Sequence, residues 1–160
     1  MSGTELSVTH VDSTPPAVTS LGGVTTAAAV PGTMENPFTT LDSASGSTAD
    51  VVFVHGGVYD GQNLVITRNG QIVSANGAGL ALSGDQGVFS ILGSGSVVVQ
   101  NSSGNAFTVN ADDVTVSGFT IDGVGTTTNG VYANSVTGLV VSGNTFADLA
   151  FAAISLDGSN

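Results

Sequence analysis

The chain has 160 residues, enough for one domain with a single core; 41% of it is hydrophobic and only 8% is charged, which excludes a disordered chain. Its net charge of −11, with no lysine and one arginine, repels phosphate backbones and anionic lipid; nucleic acid is excluded as a partner and an acidic polysaccharide is disfavoured. Cysteine is absent, which removes a disulfide framework and thiolate zinc sites, and no apolar run approaches the ~20 residues that span a bilayer.

Residues 1–34 read as a leader. Leu6–Val11 alternates weakly and predicts one strand, and 12–32 is a Ser/Thr/Pro/Ala-rich linker broken by Pro15-Pro16. The start has neither a basic n-region nor an apolar h-region, so an export signal is expected upstream, in a longer precursor. Asn36 as N-cap, Pro37 at the first helical position, Phe38, Leu41 and Ser45 on one face and Gly46 as stop predict a short helix, a lid for an apolar core. Val51–Val54 is a buried strand, and His55-Gly-Gly turns the chain.

Short strands then recur at Leu64, Gln71, Leu80, Val88, Val97 and Ala106, separated by Asn-Gly, Gly-Asp, Gly-Ser-Gly and Ala-Asp-Asp. Over 114–160 the chain repeats itself. With an offset of 25, Val114 falls on Leu139, Val116 on Val141, Ser117-Gly118 on Ser142-Gly143 and Ile121 on Phe146; further on, Gly130-Val-Tyr-Ala-Asn falls on Ala153-Ile-Ser-Leu-Asp. Return of like residues after one unit, with variation confined to turns, favours stacked parallel coils over an antiparallel meander. Asn101, Asn105, Asn129, Asn134 and Asn144 sit at turns, where they suit left-handed backbone and stacked ladders.

The segments VTVSGFTIDG and NGVYANSVTGLVVSGNTF resemble the repeats of right-handed parallel β-helix (pectin-lyase-like) proteins. Gly32–Leu41 with Asp50–Tyr59 looks like the lid and first coil of such helices in bacterial surface proteins, and Val8–Asp12 is similar to the barrel–passenger join of inverse-autotransporter-like proteins. The resemblance implies an all-β, right-handed parallel β-helix solenoid of about five coils with a short N-terminal capping helix, residues 35–160 forming the helix and its cap. It implies a surface-displayed passenger segment. It carries no defined functional residue, because coils of this kind serve enzymes, adhesins and stalks alike.

A polyuronate lyase needs basic groups beside a carboxylate, and Arg68, in a turn, is the one candidate. A glycoside hydrolase needs two carboxylates across a sugar; Asp112, Asp113 and Asp122 are the alternative catalytic set, but the Gly-His-Gly and Arg-Ile-Lys elements of pectin-hydrolase-like helices are missing, and Asp112-Asp113 reads better as a turn before Val114. His10 and His55 are too few for a zinc site, no EF-hand or Gly-Gly-x-Gly-x-Asp repeat occurs, and the Gly-x-Gly at 93–95 lacks a following helix to hold a phosphate. Tyr59, Tyr132 and Phe151 are the aromatics that a sugar could stack on.

The expectation is therefore a non-catalytic structural or adhesive rod at a bacterial outer membrane or outside the cell. It has no cofactor or metal and no membrane insertion of its own, and its partners are glycans or host matrix. The run Ala150–Asn160 ends inside a coil, so either further coils of a longer parent chain or end-to-end self-stacking is expected to cover it.

Overall fold

The computed structural model describes residues 6–14, 30–34, 36–75, 80–84, 87–91, 95–100 and 102–158, with 80–84 and 87–91 described by their backbone alone. Most of the expected linker, with Pro15-Pro16, lies outside the described residues, as do Asn101 and the start of the Gly-x-Gly at 93–95. The strands are β1 (Val8–Val11), β2 (Val51–Val54), β3 (Gly57–Asp60), β4 (Leu64–Ile66), β5 (Ile72–Ala75), β6 (Leu80–Gly84), β7 (Gly87–Ile91), β8 (Val97–Gln100), β9 (Gly104–Val109), β10 (Thr115–Ser117), β11 (Phe119–Asp122), β12 (Thr127–Asn134), β13 (Val140–Ser142), β14 (Thr145–Ala147) and β15 (Ala152–Asp157).

Three sheets are parallel throughout. The first has the order β1-β2-β5-β10-β13, the second β3-β8-β11-β14 and the third β4-β9-β12-β15. From β2 onward the chain visits first, second and third sheet in turn, making four circuits. The strands form where β-branched and aromatic residues alternate with polar ones: along Phe119–Asp122, Phe119 and Ile121 are buried while Thr120 and Asp122 are not. Stacked circuits place like on like, so Val52, Val73, Val116 and Val141 form one column and Tyr59, Val99, Ile121 and Phe146 another. These columns meet in one core, where Phe107 and Phe119 pack with ring centroids 4.8 Å apart. Each large aliphatic side chain buried there contributes about 1.5–3 kcal/mol.

Two expectations are corrected. No capping helix forms; a single 3₁₀ turn, Asp42–Ala44, stands in its place. Asn36 heads no helix, because the chain runs extended through Phe38, whose amide donates to the His10 carbonyl (3.0 Å) and whose carbonyl accepts from Asp12 (2.8 Å). Thr39 and Thr40, both β-branched, then weaken any helix. The lid exists nonetheless: Leu41 and Ala44 are buried against the core with Phe38 beside them. Leu41 is fixed by a hydrogen bond that its amide donates to Oε1 of Gln62 (2.6 Å), and Asp42 accepts from the Asn63 amide (2.9 Å).

There are also four circuits among the described residues, not five. The segments at Leu80 and Val88, read as coil strands, instead form an antiparallel ribbon between β5 and β8, Leu80 opposite Ile91 and Leu82 opposite Phe89. The short Asp85-Gln86 connection between two Gly-flanked strands suits a hairpin, whereas a parallel neighbour needs a long crossover. The weak leader strand proves to be the outer edge of the first sheet, in register with β2 from Val8–Val51 to Val11–Val54.

Candidate functional site

The corners between sheets carry the polar side chains, and they use them on one another. Between third and first sheet, Asn69 Oδ1 accepts the Asp112 amide (3.1 Å), and Asp112 Oδ1 accepts the Thr137 amide one circuit on (2.7 Å). Between second and third sheet, the Gln62 carbonyl accepts from the Ser102 hydroxyl, and the Ser102 amide donates to Thr127 Oγ1 (3.0 Å). Between first and second sheet, Asn144 Oδ1 accepts the Phe119 amide (2.8 Å) while its Nδ2 donates to the Val116 carbonyl (2.9 Å). Each corner thus satisfies backbone groups that the strand ladders leave over.

The three candidate carboxylates fall into this scheme. Asp112 is a rung of its ladder. Asp113, next to it, sits at φ 57 and donates its amide to the Thr137 carbonyl (2.9 Å); its carboxylate lies where a Cβ on Gly138 would be. Asp122 ends β11 at the corner between second and third sheet, accepting the Val124 amide (3.2 Å). Asp112 and Asp113 therefore share one turn, and Asp122 stands apart from them at another. Arg68 is not a free turn arginine: its guanidinium pairs with Asp50, whose other oxygen accepts the Ser7 amide and hydroxyl, both at 2.8 Å. Those Ser7 bonds, the amide first, and then Arg68 hold the Asp50 carboxyl below its ordinary 3.8.

The asparagine ladder is present in part. Asn129 Nδ2 donates to Asn105 Oδ1 (2.8 Å) on neighbouring strands of the third sheet. The next circuit carries Ala152 at that place, so the ladder stops and the buried Oδ1 of Asn129 has no partner among the described residues.

Sequence reasoning missed the histidine pair. His10 Nδ1 and His55 Nε2 lie 3.0 Å apart, one carrying the proton and the other the lone pair, with the Phe53 ring edge-on to both. The signal was the register: His10 is paired with Phe53, two residues before His55. Among the described residues no three His, Asp or Glu gather as metal ligands. Of the aromatics weighed for sugar stacking, Tyr59 is fully buried, its hydroxyl close to the carbonyls of His55 (3.0 Å) and Val11 (3.2 Å) and accepting the Ser13 amide (3.2 Å). Burial, above all, pushes that phenol up to about 12. Tyr132 is half-buried on the outer face of the third sheet, and Phe151 is 77% exposed.

The chain is an all-β protein of three parallel sheets. No family model, no curated protein and no solved structure matches it.

Proposed function

We propose that this chain is part of a right-handed parallel β-helix of the pectin-lyase-like kind and works as a non-catalytic structural or adhesive rod, displayed on a bacterial surface or secreted. The single observation that supports it most is the employment of Asp112 and Asp122 as acceptors for backbone amides at two separate corners. A general acid and its partner must face one sugar from two sides. The cyclic order of the three sheets supports the helix, and the strong preference of parallel β-crossovers for one hand supports its right-handedness. A surface with one cation and many hydroxyl and amide groups suits a soluble rod whose ligands are neutral glycans or matrix proteins.

The test is a panel of neutral glycans and matrix proteins, assayed in parallel for retention and for release of reducing ends. Retention without turnover is expected. Release of reducing ends that disappears in Asp113→Asn would replace this reading with a glycoside hydrolase. Display is tested by treating intact source cells with protease: removal of the antigen is expected, and a protected antigen would sink the surface assignment.

A further inference from the structure

His10 and His55 are fixed by their own backbones. The His10 amide donates to the Gly32 carbonyl (2.8 Å), and its carbonyl accepts from the Phe38 amide (3.0 Å). The His55 amide donates to the Val11 carbonyl (2.8 Å), and its carbonyl lies 3.0 Å from the Tyr59 hydroxyl. The fully buried Phe53 backs both imidazoles, its ring edge-on to them at centroid distances of 6.0 and 5.1 Å. The two histidines themselves are half-buried, within reach of an ion from solvent. Two ring nitrogens are thus held side by side on a rigid frame, 3.0 Å apart.

From this geometry we propose that His10 Nδ1 and His55 Nε2 form a two-nitrogen site for a divalent transition metal, copper(II) or nickel(II), that clamps β1 to the corner after β2. The ion takes the place of the proton the two rings share. That proton moves to the other nitrogen of its own ring, so two neutral imidazoles bind the metal without net proton loss. Turning the rings about χ2 brings both lone pairs to one point. Metal–imidazole bonds are about 2.0–2.1 Å, and nitrogens 3.0 Å apart then subtend about 91–97° at the ion. That is the angle between neighbouring corners of a square, the arrangement copper(II) and nickel(II) favour. A tetrahedral zinc site would set the nitrogens about 3.4 Å apart. Water or an outside donor completes the coordination, because no third His, Asp or Glu among the described residues joins the pair. The net charge of −11 draws cations to the protein.

The proposal rests on the pairing of β1 with β2 and not on the surface-rod reading, so either can fail alone. The 160-residue chain is titrated with copper(II) chloride at neutral pH and followed by calorimetry and electron paramagnetic resonance. One equivalent should bind, with a tetragonal spectrum carrying hyperfine structure from two imidazole nitrogens. Copper should also raise the thermal midpoint and slow amide exchange in β1. His10→Gln and His55→Gln, each with an unchanged β circular-dichroism spectrum, should bind it at least about tenfold more weakly, since losing even an outer partner of a metal ligand costs about 10–100-fold. Both variants keep every other donor of the chain, so the difference belongs to the pair; if one of them misfolds, the other carries the comparison. No binding, a spectrum with fewer than two imidazole nitrogens, or undiminished affinity in a folded variant would each overturn the proposal.

Discussion

Asn144 is bonded to Phe119, 25 residues earlier, through the donor amide of Phe119 and its own Oδ1 at 2.8 Å, and its Nδ2 reaches the Val116 carbonyl in the same turn. One side chain therefore replaces two backbone bonds that the corner between first and second sheet breaks. Asn144→Ala is expected to cost about 1–3 kcal/mol, and Asn144→Asp, which keeps the acceptor and loses the donor, less than that. Denaturant midpoints of the two variants check both the size and the order.

Asp50 ties the leader strand to the stack through Ser7, and its acid form is disfavoured in the fold. Its contribution is complete above the ordinary carboxyl value of 3.8 and is lost as pH falls through the lower folded value. Amide exchange of β1 should accelerate in that acid range before the later circuits respond. In Asp50→Asn, β1 should exchange faster at neutral pH and show a flatter acid response.

Tyr59 titrates in the opposite direction. Its phenol ionises at about 12 in the fold against an ordinary 10.0, so its stabilisation is whole below pH 10.0 and disappears as pH rises towards 12. Thermal midpoints of the native chain should fall across that window. Tyr59→Phe, which keeps the buried ring, should lose about 1 kcal/mol at neutral pH and show a shallower alkaline decline.

The asparagine ladder ends one rung short. Ala152 sits in register with Asn129, whose buried Oδ1 lacks a donor among the described residues. Ala152→Asn is expected to supply that donor and stabilise the protein by about 0.5–1.5 kcal/mol, read as a higher denaturant midpoint with an unchanged slope.

The register of the later circuits was legible residue by residue. Val116 on Val141, Ser117 on Ser142, Ile121 on Phe146 and Val131 on Ile154 are the pairs of the sheets themselves, because stacked coils force like residues into one column. The lid was legible as a need but not as a structure. Its helical spacing at Phe38 and Leu41 was overridden by edge hydrogen bonds from β1, a partner 27 residues away in sequence from Phe38 to Val11. The strand Gly57–Asp60 was hidden by its glycine, and the antiparallel ribbon by strands that look locally like all the others. His10 and His55 met only through the pairing of β1 with β2, which no local pattern encodes.

The ribbon at β6 and β7 leaves the stack at the corner between first and second sheet, where the next circuit spends Gly118 alone and the one after it Gly143-Asn144. Yet Ile72 still pairs with Thr115 and Val97 with Phe119 as if nothing had been inserted. That corner is a natural socket for grafting: a foreign epitope or a small folded module spliced there would be displayed sideways from the protein, with the register above and below left undisturbed.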